Sequence, residues 1–126
     1  MPNTSRILLV EDDADTLSGL FMLLTRAGHS VLTAENGAQA VDLLTRGIQP
    51  ALLLLDLKLP KASGWDVLKF LQDDPELREV PVIVMTGLGE REAHVVGADR
   101  VLQKPLDVET LLTEVNGLLE RSRQRS

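Results

Sequence analysis

Three short, unbroken apolar runs constrain this chain more than any other feature: Ile7-Leu8-Leu9-Val10, Ala51-Leu52-Leu53-Leu54-Leu55 and Val82-Ile83-Val84-Met85. Four or five consecutive apolar residues leave no polar face for water, so each run reads as a strand covered on both sides. Ser30–Ala34 and residues 99–103 are more mixed and read as flanking strands. Between the runs the period changes to that of a helix. Leu17, Leu20, Phe21 and Leu24 form one stripe, and Gly28 supplies a stop. Ala40, Val41 and Leu44 follow Asn36, which reads as an N-cap, and end at Gly47.

Val67, Leu68 and Leu71 make a third stripe, opened by Ser63-Gly64 and closed before Pro75. Leu111, Leu112, Val115, Leu118 and Leu119 make the last. Strands alternating with helices imply right-handed crossovers and a parallel sheet. The chain of 126 residues is the size of one domain, with its core over about residues 6–119 and a loosely ordered polar tail over residues 120–126. Arg121, Arg123 and Arg125 in that tail read as a solubilising end or linker stub.

Composition removes several classes of function. The absence of cysteine rules out disulfides and thiolate metal sites, and a reduced, cytoplasmic setting is the natural reading. No run approaches the ~18 apolar residues of a membrane span, and Met1-Pro2-Asn3-Thr4-Ser5 lacks the apolar stretch of a secretory signal. A net charge of −6 opposes nucleic-acid binding, and Phe21, Phe70 and Trp65 are too few to stack bases. Trp65 reads as a partly buried packing residue. His29 and His94 lack the clustered partners of a metal site.

In an open parallel sheet, ligands bind beyond the carboxyl ends of the strands. Those positions hold Glu11-Asp12-Asp13 after the first strand, Asp56 after the third, Thr86 after the fourth and Lys104-Pro105 after the fifth. Several carboxylates in one cleft repel each other, and protons or a cation must relieve that. Hard oxygen donors suit Mg²⁺, whose charge attracts a phosphoryl group. The Thr86 hydroxyl and the Lys104 ammonium are placed to bind phosphoryl oxygens. Asp56, ending the most apolar strand, is the best nucleophile, because no Cys or suitable His or Ser stands among these positions.

Taken in order, Leu8-Leu9-Val10-Glu11-Asp12-Asp13, Leu54-Leu55-Asp56-Leu57-Lys58-Leu59-Pro60, Ser63-Gly64, Val84-Met85-Thr86-Gly87, Gly97-Ala98-Asp99 and Lys104-Pro105 resemble the receiver domains of two-component response regulators. The resemblance implies a (βα)5 doubly wound five-stranded parallel sheet, flavodoxin-like and CheY-like, within the α/β class. It implies that Asp56 accepts a phosphoryl group from a phosphohistidine on a histidine kinase or phosphotransfer protein. Mg²⁺ would be held by Asp12, Asp56 and the Lys58 carbonyl, with Glu11 acting through a bound water. Thr86 and Lys104 would hold phosphoryl oxygens, and the bond before Pro105 would be cis. Asp13 would start the first helix. The output would be altered binding to a downstream protein effector rather than turnover of a metabolite.

Two departures concern the output. Val101 stands where the family often has Tyr or Phe, three residues before the lysine. It reads as a tolerated aliphatic variant with a quieter switch or, more sharply, as activation relayed by backbone and loop shifts alone. Thr86 and Lys104 are only 18 positions apart, about one helical turn short. A shortened fourth helix over residues 90–96 is therefore expected. Gly87 leaves access to the phosphate open, while Leu88 cannot position a water, which favours slow self-hydrolysis. The main alternative is a pseudo-receiver, a protein-binding module that is never phosphorylated. An aspartate-nucleophile phosphatase would need a second acid where Lys58 stands, and no P-loop or GxGxxG follows any strand.

Overall fold

The computed structural model describes residues 6–57, 64–87 and 97–124. Among these residues, β1 (Arg6–Val10), β2 (Ser30–Ala34), β3 (Leu52–Asp56), β4 (Val82–Thr86) and β5 (Arg100–Gln103) form one sheet in the order β2-β1-β3-β4-β5. All four pairings are parallel. The helices are α1 (Ala14–Arg26), α2 (Gly37–Thr45), α3 (Gly64–Asp73) and α4 (Val108–Gln124), with a 3₁₀ turn at Leu77–Glu79. The three apolar runs are the central strands β1, β3 and β4, and the mixed segments lie at the two edges.

Strand side chains alternate between faces, so each apolar run feeds two cores. Leu8, Val10, Leu53, Leu55, Val82 and Val84 pack with Ala40 and Leu44 of α2 and with Val67, Leu68 and Leu71 of α3. Ile7, Leu9, Leu52, Leu54, Ile83 and Met85 pack with Leu20 and Leu24 of α1 and with Leu111, Val115 and Leu118 of α4. This is the doubly wound arrangement. Each fully buried leucine contributes roughly 2 kcal/mol relative to exposure.

The helix boundaries follow local chemistry. Asn36 Oδ1 accepts from the Gln39 amide at 2.9 Å and caps α2. Gly28 and Gly47 follow α1 and α2 with φ of 100° and 99°, a backbone state open to glycine at little cost.

Several expectations change. Phe21 is 40% exposed and Trp65 48% exposed. Each lies off the inward stripe of its helix, Phe21 one residue past Leu20 and Trp65 two before Val67. Order does not fade at Glu120, because α4 continues to Gln124. No Gly or Pro interrupts residues 120–124, and basic side chains suit a helix C-terminus. The expected short helix over residues 90–96, with His94, lies outside the described residues, as do Lys58, Ser63 and Leu88.

Gly19 lies inside α1, and a Cβ built on it meets nothing within 4 Å. Gly19→Ala is expected to stabilise the fold by roughly 0.5–1 kcal/mol, read from the urea midpoint at unchanged slope.

Candidate functional site

The carboxyl ends of the parallel strands converge on one rim. Glu11 follows β1, Asp56 ends β3, Thr86 ends β4 and Lys104 follows β5. Asp56 pairs in register with Met85, and Thr86 is the next residue on that neighbouring strand. The backbone carries the positions further: Leu57 N donates to Met85 O at 3.1 Å, and Lys104 N donates to Thr86 O at 2.8 Å. Three of the four groups are withdrawn from solvent, with Glu11 at 0%, Thr86 at 3% and Asp56 at 6% exposure.

Lys104 ties the acids together. Its Nζ donates to Glu11 Oε1 at 2.8 Å and to Asp56 Oδ2 at 3.2 Å. The bond between Lys104 and Pro105 is cis, as expected. Asp12 stands exposed beside the pair, and one carboxylate oxygen each of Glu11, Asp12 and Asp56 lie within 4.8 Å of one another. Three hard oxygen donors at that spacing, one facing solvent, fit an oxygen-ligated divalent cation that keeps some of its water. The expected carbonyl of Lys58 falls outside the described residues.

Burial pushes the Glu11 carboxyl above its ordinary range. Hydrogen bonds from Lys104 and the Asp13 amide oppose that rise, and the charge on Asp56 adds to it. For Lys104 burial is the largest single influence and acts downward. The Glu11 hydrogen bond, the charges of Asp56 and Glu11, and the Asp56 hydrogen bond together outweigh it, so the ammonium lies above the usual lysine range. Among the described residues, the Lys104 ammonium balances the two acids it is bonded to.

Asp13 starts α1, as expected. Its carboxylate accepts from Thr16 N at 2.9 Å and Thr16 Oγ1 at 2.7 Å, and these bonds lower its pKa. Val101 is partly buried against the α2–α3 core. His29, half-buried directly before β2, has ring nitrogens that meet no hydrogen-bond partner among the described residues.

One contact was not anticipated from the sequence. Gly64 N donates to Leu57 O at 3.1 Å, and a Cβ on Gly64 would lie 2.6 Å from Leu57 O and 2.8 Å from Asp56 O. Those are backbone atoms and cannot swing aside. Gly64→Ala is expected to cost about 1–3 kcal/mol and to displace the carbonyl of Asp56. Thermal unfolding and the Asp56 amide chemical shift would check it.

The family model described as response regulator receiver domain matches residues 7–116. The chain belongs to that family. CpxR of Escherichia coli, a transcriptional regulatory protein, is 39% identical, over 94% of this receiver chain and 50% of its own length. RpaA of Synechocystis sp., a DNA-binding dual master transcriptional regulator, is 36% identical over 93% of this chain and 50% of its own. This receiver therefore spans about half the length of those two relatives. PilH of Pseudomonas aeruginosa is 36% identical, over 91% of this chain and 98% of its own.

Among solved structures, a receiver domain protein from Clostridium thermocellum superimposes with a TM-score of 0.86 at 26% identity, covering 97% of this receiver and 99% of that chain. Receiver domains are modules of two-component signalling, in which phosphorylation and Mg²⁺ are typical and histidine kinases, phosphotransfer proteins and effectors are the partners. No helix among the described residues is long and apolar enough to cross a membrane.

Proposed function

We propose that this receiver domain accepts a phosphoryl group on Asp56 from a phosphohistidine of a partner kinase or phosphotransfer protein, in a cytoplasmic relay. The observation that carries this reading is the Lys104 ammonium bonded to Asp56 and Glu11 at one rim. Asp12 and Asp56 are the residues that would hold Mg²⁺, with the Lys58 carbonyl as a further ligand and Glu11 behind them. Bound Mg²⁺ would supply positive charge against the oxygens of the transferring group.

An Asp56 carboxylate oxygen attacks phosphorus in line, the P–O bond forms as the P–N bond to imidazole breaks, and the imidazole leaves with a proton from solvent. Lys104 exchanges its bond to Asp56 for one to a phosphoryl oxygen and so remains neutralised. The Thr86 hydroxyl, from the adjacent strand end, donates to a second oxygen. Asp56 is held by its strand throughout, so the nucleophile needs little reorganisation. The chain catalyses its own modification and slow hydrolysis, and its product is a changed protein-binding surface. With Val101 in place of an aromatic, that change is carried by backbone and loop shifts.

Incubation with acetyl phosphate and Mg²⁺, followed by intact mass, is expected to add one phosphoryl group. Omitting Mg²⁺ or adding EDTA is expected to prevent it. A wild-type chain that takes up nothing from acetyl phosphate, phosphoramidate or a phosphorylated histidine phosphotransfer protein would instead be a pseudo-receiver.

A further inference from the structure

The phosphoacceptor site contains a group that no side-chain inventory reveals, the backbone N–H of Asp13. It donates to Glu11 Oε2 at 3.1 Å, while Glu11 Oε1 accepts from Lys104. Glu11 is wholly buried, so these bonds take the place of its water. We propose that Asp13 is a positioning residue for the reaction at Asp56: by capping α1 it aims its own amide at Glu11, and Glu11 then holds Lys104 beside Asp56.

The chain of contacts is continuous. The Asp13 carboxylate binds Thr16 N at 2.9 Å and Thr16 Oγ1 at 2.7 Å, and Asp13 O accepts the first helical bond from Leu17 N at 2.8 Å. Those three bonds set the backbone of Asp13 in its extended state, with φ −81° and ψ 119°. Rotation of that peptide would turn the N–H away from Glu11 Oε2. A buried carboxylate with one oxygen unpartnered would then draw Lys104 toward itself and away from Asp56. The Asp13 carboxylate feels the Lys104 charge through space, but its hydrogen bonds run to Thr16, so the route from its cap to Asp56 passes through Glu11.

Caps elsewhere make a control. Asn36 caps α2 in the same way through Gln39 N at 2.9 Å, but its hydrogen bonds do not reach the Glu11–Lys104 pair. Removing either cap destabilises one helix start; only the cap at Asp13 also releases Glu11.

The proposal rests on the reading of Asp56 as phosphoacceptor, and two readouts separate them. The first is hydrogen exchange of the Asp13 amide by NMR, which needs no phosphorylation. It is expected to be protected in wild type and Asp13→Asn, where an acceptor oxygen keeps the cap, and unprotected in Asp13→Ala. The second is the acetyl phosphate rate at saturating Mg²⁺. Asp13→Ala is expected to slow it by about tenfold, Asp13→Asn to stay near wild type, and Asn36→Ala to leave it unchanged. An Asp13→Ala chain that keeps the protected amide or the wild-type rate would overturn the proposal. So would an Asp13→Asn chain as slow as Asp13→Ala, or an equal loss in Asn36→Ala. A wild-type chain that shows the amide pattern but takes up no phosphate would reject only the phosphoacceptor reading.

Discussion

Asp56→Asn is expected to abolish phosphoryl uptake entirely while leaving the fold at least as stable as wild type. The loss follows from chemistry: an amide oxygen is a far weaker nucleophile than a carboxylate and gives no stable acyl phosphate. The gain follows from charge. Asp56 lies near the buried Glu11 and its charge raises the Glu11 pKa, so removing it relieves repulsion between two acids. Asn is nearly the same size, so the carboxyl end of β3 keeps its packing. Intact mass after acetyl phosphate treatment reads the first effect and the urea midpoint without Mg²⁺ reads the second. Among the described residues, Asp12 is the exposed carboxylate of the Glu11–Asp12–Asp56 cluster. Label persisting in Asp56→Asn and lost in a double variant with Asp12→Asn would move the acceptor to Asp12.

Lys104→Ala is expected to damage both activity and stability. The rate of phosphoryl uptake should fall by about a hundredfold or more, as when one preorganised donor is removed from a developing charge. Stability without metal should fall by roughly 2–3 kcal/mol at neutral pH, because Glu11 keeps its burial and loses a charged partner. That figure is set below the cost of breaking a fully buried pair because the lysine side chain is itself 27% exposed.

The pH dependence carries the sign. Glu11 has a folded pKa above its unfolded value of 4.5, so its protonated form is favoured in the fold, and the associated stability fades as pH rises through the folded pKa. Removing Lys104 raises that pKa further. The deficit of Lys104→Ala should therefore be small near pH 4 and grow toward neutrality. For the ammonium itself, also raised, the contribution present at neutral pH in wild type is lost only as pH climbs past the ordinary lysine range. Urea titrations across this range would test both limbs. A deficit independent of pH would mean that lost packing, rather than the stranded acid, accounts for it.

Much of this was legible from residue order. A leucine run such as Leu52 to Leu55 has one stable environment in water, a strand covered on both faces, and alternation with helical stripes then sets a parallel sheet. The strand-end rule takes Glu11, Asp56, Thr86 and Lys104 from distant parts of the chain and predicts one site. Their identities state the chemistry, since acids with a hydroxyl and an ammonium suit a cation and a phosphoryl group. Asn36 and Gly47 marked the limits of α2 because caps are local effects.

What escaped the sequence depends on contacts between segments. Nothing in Glu11-Asp12-Asp13 says which acid is buried; β1 turns the first inward, where Lys104, 93 positions away, meets it. Gly64 looked like a helix start, and only its approach to the Asp56 and Leu57 carbonyls shows why a side chain has no room there. Helical spacing puts Phe21 at the margin of its stripe and residue type alone speaks for Trp65, and neither reports how far the packed elements reach around a helix. The sequence by itself determined the layers and the list of groups at the rim, because periodicity and strand order are properties of the chain. Tertiary structure alone decided which oxygen each donor serves, because a hydrogen bond depends on ångström distances between residues that folding brings together.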